Sequence, residues 1–176
     1  HLVTPGYEPE WRYLVALGGN QRHRRFGSPR KLLQSALAML AWSGCRIEAV
    51  SPIITTRPLG PSRRAYANAA AVIACPLTPH ALLGLLQGVE CIHGRQRRGA
   101  RWGARTLDLD IVLWSGGAVA DPGPAPVLRI PHPRYRTRRF VLGPAAAIAP
   151  CWRDPETGLT LTQSQARLTR PRPLPR

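Results

Sequence analysis

A chain of 176 residues, 44 % of them hydrophobic, is long enough to bury one sizeable core, so we expect a single globular domain. Lysine and arginine number 25 against nine acidic residues, and a formal net charge of +16 ordinarily indicates a polyanionic partner. Lys31 is the only lysine, however, which indicates a compositional bias towards arginine. Net charge alone therefore identifies no partner.

The cysteines and the apolar stretches exclude further classes. Four cysteines lie far apart with no C-x-x-C pair, which argues against a zinc site and favours reduced, mostly buried thiols. The longest apolar stretches are too short or too interrupted by glycine and proline to span a bilayer, and no secretory signal opens the chain. We therefore expect a cytoplasmic protein without a membrane partner.

The first half of the chain predicts one helix and three strands. A strand over 12–17 ends at the turn 18–20, and Ser28 followed by a proline predicts a helix that begins at Pro29 and ends near Trp42. A second strand is predicted over 47–56, and after the turn-rich segment 57–61 a third over 66–75.

The second half completes a known order. Thr78 and the following proline repeat the helix-start signal, an apolar stripe continues to about His93, and a strand follows over 107–114. The order β-α-β-β-α-β predicts an α+β fold, a ferredoxin-like sandwich with an antiparallel sheet and a C-terminal extension. We expect the domain to span 12–163, with an N-terminal extension over 1–11.

Beyond the last strand the signals weaken. A Gly/Pro-rich connection over 116–126 precedes a short helix predicted near 140–148. The stretch 164–176 is rich in arginine and proline, and we expect it to be a disordered tail.

An alternating segment carries the strongest chemical signal. In a strand that starts near Thr106, the four apolar residues Leu107, Leu109, Ile111 and Leu113 point to one face. Asp108 and Asp110 point to the other, about 7 Å apart, where they would repel by about 2 kcal/mol at an effective dielectric near 20. A divalent cation would turn that repulsion into attraction, and ligands that are all oxygen favour Mg²⁺. The alternative is an exposed strand face whose acids pair with neighbouring arginines.

Arginines precede this pair in a cluster, and planar guanidinium groups match phosphate oxygens. The cluster comprises Arg95, Arg97, Arg98, Arg101 and Arg105. Together, the arginines and aspartates predict a Mg²⁺-polyphosphate site.

These residues resemble a known family. The run Arg101 to Asp110, followed by Ile130 to Arg134, resembles the 6-hydroxymethyl-7,8-dihydropterin pyrophosphokinases of folate biosynthesis. The resemblance continues along most of the chain, at 17–20, 57–61, 66–68, Glu90 with Arg95, Phe140 and 148–150.

The resemblance implies transfer of the terminal pyrophosphoryl group of ATP to the hydroxymethyl oxygen of the dihydropterin, with release of AMP. Asp108 and Asp110 would hold two Mg²⁺ ions, and Arg95 and Arg105 would act as catalytic residues that neutralise developing charge. The segment 95–104 would form a lid that carries Trp102.

The resemblance also assigns binding residues. ATP contacts would come from Gln87, Glu90, Arg97, Arg101, Ile111, His132 and Arg138. Pterin contacts would come from Thr56, Arg57, Pro58, Leu59, Tyr66, Asn68, Trp102 and Phe140, with the two single-ring aromatics stacking on the pterin. Core packing of Tyr66 and Phe140, a structural turn at His132 and a solvated helix surface at Gln87 and Glu90 are the alternatives.

Two rival functions remain at this point. RRM domains share the element order and suit a basic chain, but the 66–73 strand lacks their aromatic pattern and the 107–114 strand carries two acids. The second rival is a weakly catalytic paralogue, because the segment 21–25 is longer and more basic than in the family. We expect ATP and the dihydropterin as specific partners of a monomer, without specific nucleic acid binding.

Overall fold

The computed structural model describes residues 9–20, 23–56, 66–94, 107–124 and 127–174. The main sheet contains five strands, β1 (Trp11–Gly19), β2 (Arg46–Val50), β3 (Ile54–Thr56), β4 (Tyr66–Cys75) and β5 (Asp108–Trp114). Their order is β2-β4-β1-β5, β3 also pairs with β4, and every pairing is antiparallel. The predicted α+β ferredoxin-like fold is confirmed.

In the described part of the chain, four helices cover the two faces of the sheet. These are α1 (Pro29–Trp42), α2 (Pro79–Ile92), α3 (Arg139–Ile148) and α4 (Leu161–Thr169). A small second sheet pairs β6 (Val119–Ala120) with β7 (Arg129–Ile130), and a 3₁₀ turn spans Tyr135–Thr137. None of the helices within the described ranges has the length and apolar character needed to cross a membrane.

The first two helices begin where their capping residues predict. The side chains of Ser28 and Thr78 accept hydrogen bonds from the backbone N–H groups of Lys31 and Ala81, and a proline follows each cap. Capped in this way, α1 and α2 pack one apolar side each against the first face of the sheet, where Leu40 and Leu86 lie fully buried.

A second core lies on the opposite face. Leu14 and Val72 of the sheet pack there with Leu142 of α3 and Leu161 of α4. The molecule therefore has three layers, with α1 and α2 on one side of the sheet and α3 and α4 on the other.

A bulge in β5 changes one predicted orientation. Ile111 pairs with Val15 and Leu113 pairs with Leu14, so Val112 is an extra residue on β5. Val112 and Leu113 consequently both belong to the second core, whereas Leu107, Leu109 and Ile111 belong to the first. The prediction that Leu113 shares a face with the other three residues is wrong, because the bulge interrupts the alternation.

Three other expectations need correction. The strand predicted over 47–56 divides into β2 and β3. Ser51 still donates its backbone N–H to the Ala70 carbonyl, but its side-chain hydroxyl, and not a backbone carbonyl, accepts from the Ala70 N–H at 2.9 Å. The tail predicted over 164–176 is wrong for 164–169, which belong to α4 and bury Ser164. Of the cysteines, Cys91 and Cys151 are exposed.

Candidate active site

Two cross-strand rows of residues lie on the second face of the sheet, beyond the part that α3 covers. In the first row Asn68 of β4, Gly18 of β1 and Asp108 of β5 are neighbours. The next row contains Ala70, Ala16 and Asp110. Directly paired residues point to the same face of a sheet, and Ala70 and Ala16 belong to the second core. Both aspartates therefore point to this face, as the sequence predicts.

Small residues form the floor between the polar groups. A Cβ atom on Gly18 would lie 3.2 Å from Oδ1 of Asn68, so only a hydrogen at this position leaves the amide undisturbed. Asn68 is 7 % exposed. The glycine thus separates a nearly buried amide from a carboxylate by one strand.

His132 lies beside the carboxylates. Its backbone N–H donates to the carbonyl oxygen of Val112 at 3.0 Å, and its Nδ1 accepts from the backbone N–H of Arg134 at 3.1 Å. The neutral ring therefore carries its proton on Nε2, which lies 4.0 Å from Oδ2 of Asp110. The turn interpretation of His132 is correct for Nδ1, while Nε2 remains directed at the carboxylate.

The charges around His132 favour its neutral form. Burial lowers the pKa of His132, and the guanidinium groups of Arg138 and Arg134 lower it further, while the carboxylate of Asp108 has the opposite effect. Arg138 and Asp108 therefore both lie close enough to act on this imidazole. The site combines two carboxylates with a neutral imidazole and a cation.

Two aromatic side chains border this region and remain accessible. Tyr66 starts β4 on the same side of the strand as Asn68 and is 37 % exposed. Phe140 is the second residue of α3, is 44 % exposed, and has the Arg138 guanidinium 5.8 Å from its ring centroid. This exposure excludes core packing as the explanation of either ring, and exposed ring faces are what a flat heterocycle needs for stacking.

Three predicted ATP contacts lie elsewhere. Ile111 points its side chain into the first core and is 4 % exposed, so only its backbone could contact a ligand. Gln87 and Glu90 belong to α2, on the first face of the sheet. Glu90 is 3 % exposed, which excludes the solvated-surface interpretation for this residue, whereas Gln87 is half-buried.

Several predicted site residues lie outside the described part of the chain. They are Arg57, Pro58, Leu59, Arg95, Arg97, Arg98, Arg101, Trp102 and Arg105, together with the proposed lid over 95–104. Thr56 is described as the end of β3, where it pairs with Tyr66.

The donor set fits a hard cation only in part. Within the described residues, no group of three or more His, Cys, Asp or Glu side chains is arranged to hold a metal ion. Asp108 and Asp110 provide oxygen ligands on one face, and Mg²⁺ commonly completes its coordination with substrate phosphates and water. The pair therefore suits a Mg²⁺ ion that arrives with a polyphosphate.

Comparisons with known proteins identify the family. The model of the 7,8-dihydro-6-hydroxymethylpterin-pyrophosphokinase (HPPK) family matches residues 14–150. The chain belongs to the HPPK family. It is therefore a pyrophosphokinase of folate biosynthesis, and the family prediction is confirmed.

Two relatives are named 2-amino-4-hydroxy-6-hydroxymethyldihydropteridine pyrophosphokinase. The protein of Pseudomonas aeruginosa is 41 % identical over 147 residues, which is 82 % of this chain and 85 % of that protein. The protein of Synechocystis sp. is 38 % identical over 151 residues, which is 85 % of this chain and 72 % of that protein.

A solved structure shares the fold. It is a crystal structure of a Plasmodium falciparum HPPK-DHPS triple mutant with SDX-DHP, and it matches with a TM-score of 0.69 and 11 % identity. The match covers 93 % of this chain and 45 % of that longer one. At this identity it supports the fold alone.

Sequence reasoning missed two residues. Gly18 was expected only to form a turn, because its packing against Asn68 depends on a cross-strand register that no local pattern reveals. Asp154, which is fully buried, was not predicted at all. The sequence did contain an indication of its role. Acidic residues are scarce in this chain, nine against 25 lysines and arginines, so each carboxylate has many potential cationic partners.

Proposed function

We propose that this pyrophosphokinase transfers the terminal pyrophosphoryl group of ATP to the hydroxymethyl oxygen of 6-hydroxymethyl-7,8-dihydropterin and releases AMP. One observation carries the proposal. Asp108 and Asp110 share an accessible face with Asn68 and Tyr66 on one side and His132 on the other. A pterin and a triphosphate can therefore lie side by side on the same surface.

The aspartates are the proposed Mg²⁺ ligands. Two ions are expected, and they supply charge neutralisation for the triphosphate when bound. A neutral His132 suits this arrangement, because an imidazolium would compete with the cation for Asp110. Both carboxylates lie on the single strand β5, whose hydrogen bonds to β1 limit how far the pair can separate.

The pterin side is proposed to consist of two aromatic rings that stack on the pterin and one side-chain amide that forms hydrogen bonds with its edge. Tyr66 and Phe140 offer exposed ring faces, and Asn68 supplies both donors and an acceptor for a heterocycle edge. Because Gly18 has no Cβ, nothing at this position pushes the Asn68 amide out of its place. Thr56 and the residues Arg57, Pro58, Leu59 and Trp102 complete this proposed set.

The nucleotide side is proposed to include His132 and Arg138. Gln87, Glu90 and the backbone of Ile111 stay in the proposed ATP-binding set, although α2 packs on the first face of the sheet. Arg97 and Arg101 are proposed to bind the phosphates, and Arg95 and Arg105 to stabilise the charge that develops during transfer. We also propose that the enzyme acts in the cytoplasm.

One structural observation disfavours the RNA-binding alternative. RRM domains use the open face of their four-stranded sheet to stack bases. In this chain α3 and α4 pack on that face and bury Leu14 and Val72 beneath them. The sheet surface that an RRM would use is therefore covered along its middle.

Replacing either aspartate tests the metal assignment. Asp108→Asn and Asp110→Asn should each reduce MgATP-dependent AMP release by on the order of 10²–10³, because each removes a charge that stabilises the transferring group. The melting temperature without ligands should not fall, since one of two like charges has been removed. Turnover is measured with saturating hydroxymethyldihydropterin, and unfolding by circular dichroism.

Asp121→Asn is the matched control. Asp121 is a carboxylate that lies outside the proposed site and pairs with His80 of α2 at 2.9 Å, so its replacement should leave AMP release within about twofold of the wild-type value. If Asp108→Asn and Asp110→Asn lowered stability and left turnover normal, the aspartates would be partners of arginines and the metal assignment would be wrong.

A further inference from the structure

Asp154 is a fully buried carboxylate in the turn between α3 and α4. Its Oδ2 accepts hydrogen bonds from the Tyr135 hydroxyl and from Nε of Arg136, the latter at 2.7 Å. Its Oδ1 accepts from the backbone N–H groups of Glu156 and Thr157 at 2.8 and 3.2 Å. Both oxygens are therefore satisfied, and the negative charge has a cationic partner.

Breaking this hydrogen-bond network would cost free energy, because Asp154 is buried and charged. Burial opposes the charge on Asp154, but the bonds from Tyr135, the backbone and Arg136 together lower its pKa. Removing one partner of a buried ion pair leaves an uncompensated charge, which is strongly unfavourable. Tyr135 and Arg136 are consequently held where Asp154 requires them.

The same residues lie in the middle of the segment that carries the proposed ATP contacts. The Tyr135 N–H donates to the carbonyl oxygen of His132 at 3.3 Å, and the Arg138 N–H donates to the carbonyl oxygen of Tyr135 at 3.2 Å. Tyr135 itself is fully buried in the second core. His132 and Arg138 are thus three residues on either side of one anchored tyrosine.

We propose that Asp154 is a positioning residue for the nucleotide side of the active site, because it fixes Tyr135 and Arg136 and thereby the spacing of His132 and Arg138. The proposal rests on the function proposed above, which assigns the last two residues to ATP. The family match ends at residue 150, so Asp154 lies beyond the part of the chain that the family model covers.

The test separates positioning from plain stability. Asp154→Asn keeps the side-chain volume but removes the charge that Arg136 neutralises, and one of the two acceptor oxygens becomes a donor. Replacing the hydrogen-bond partner behind a metal ligand typically costs about 10–100-fold in affinity or activity, and we expect a similar range for a residue that positions phosphate-binding groups. We expect the KM for MgATP to rise about tenfold or more, while the KM for the dihydropterin stays within about twofold.

Two tyrosines provide a matched pair of controls. Tyr135→Phe removes the hydroxyl that reaches Asp154, and Tyr13→Phe removes an equally buried hydroxyl that donates to the Leu77 carbonyl at 2.6 Å. Both variants should melt at lower temperature. Only Tyr135→Phe should raise the KM for MgATP, and the double variant with Asp154→Asn should bind nucleotide no more weakly than Asp154→Asn alone.

Direct binding distinguishes the possible failures. The Kd of an α,β-methylene analogue of ATP with Mg²⁺ is measured by calorimetry for each folded variant. If Asp154→Asn bound the analogue as the wild type does, or if Tyr13→Phe raised the KM for MgATP equally, the positioning role would be overturned. Failure of the wild type to release AMP would instead overturn the proposed function.

Discussion

Gly18 shows how one missing side chain can determine a binding surface. It lies between Asn68 and Asp108 in the sheet, and a Cβ there would stand 3.2 Å from the Asn68 amide oxygen. Gly18→Ala should therefore displace the amide by a few tenths of an ångström and weaken dihydropterin binding about tenfold, with a small loss of stability. Fluorescence titration with the dihydropterin measures the effect.

Gly143→Ala is the control for this substitution. A Cβ on Gly143 would lie 3.8 Å from Nε2 of Gln165, an ordinary contact, and alanine is the better helix former. This variant should bind the pterin normally and melt no lower than the wild type. Equal pterin affinities of Gly18→Ala and the wild type would show that Asn68 does not depend on the glycine.

Single residues were predictable from sequence where a local rule applies. Strict alternation placed Asp108 and Asp110 together on one side of a strand, and the structure agrees. Burial of Glu90 could not be predicted, because it depends on how α2 sits against the rest of the fold. The proximity of Arg138 to His132 could not be predicted either, because it depends on the 3₁₀ turn between them, whose first residue, Tyr135, is buried in the second core.

At the scale of elements, the end of α2 makes the stability depend on pH. His93 is fully buried, its Nδ1 donates to the Val89 carbonyl at 2.7 Å, and its Nε2 lies 2.9 Å from the Ser35 hydroxyl of α1. Burial lowers the pKa of His93, the bond to Val89 opposes this, and nearby His23 lowers it further. The ordinary pKa of histidine, about 6.5, applies to the unfolded chain.

The unfolded chain therefore binds a proton at higher pH than the folded protein does. The stabilising contribution is complete above about pH 6.5 and is lost as the pH falls towards the lower folded pKa of His93. Urea denaturation should give a lower free energy of unfolding at about pH 5 than at about pH 7.5. His93→Gln should reduce this decline without abolishing it, because burial also lowers the pKa of His132.

His80→Gln serves as the comparison for the pH series. His80 is an exposed residue of α2, so its replacement should retain most of the decline that the wild type shows. A pH dependence of His93→Gln as steep as that of the wild type would contradict the role of the buried imidazole.

Elements with explicit start signals were predicted well. Ser28 and Thr78 located α1 and α2, and the bounds of β4 agree with the sequence prediction. The fourth helix was missed because its composition resembles a polar tail. Its signal was a capping box, in which Thr160 and Gln163 each accept from the other's backbone N–H.

At the scale of the whole molecule, the charge is poorly balanced. Arg46 pairs with Glu10 and Glu48, Arg136 pairs with Asp154 and Glu156, and such pairs occupy a large share of nine acidic residues. With 25 lysines and arginines against nine acidic residues, a large positive charge remains in excess. The excess charge should attract any polyanion from a distance, without selecting among sequences.

RNA binding should consequently be weak and steeply dependent on salt. We expect a non-specific Kd on the order of 10⁻⁴–10⁻⁶ M near physiological salt for single-stranded RNA, and much tighter binding at about 50 mM salt. Fluorescence anisotropy with two RNAs of unrelated sequence measures the Kd and its dependence on salt. Light scattering on the protein without RNA should show a monomer. Submicromolar, sequence-selective binding at physiological salt would restore the RNA-binding alternative.

The order of the elements, and hence the ferredoxin-like sheet, could be predicted because hydrophobic periodicity and caps act locally. The third layer could not be predicted in the same way. Its contacts join Leu142 of α3 and Leu161 of α4 to strands that precede them by more than 20 residues. Local sequence patterns do not indicate which face of the sheet such distant helices cover.

Val112 could be removed from the chain without turning any neighbour to the opposite side of the sheet. Ile111 and Leu113 already pair with consecutive residues of β1, so a strand one residue shorter would form a regular ladder with both aspartates in place. Such a deletion would remove the buried Val112 side chain from the second core, together with the carbonyl oxygen that accepts the His132 N–H. The extra residue of β5 therefore links the packing of the second core to the position of the His132 backbone, and we expect the loss of this residue to disturb both.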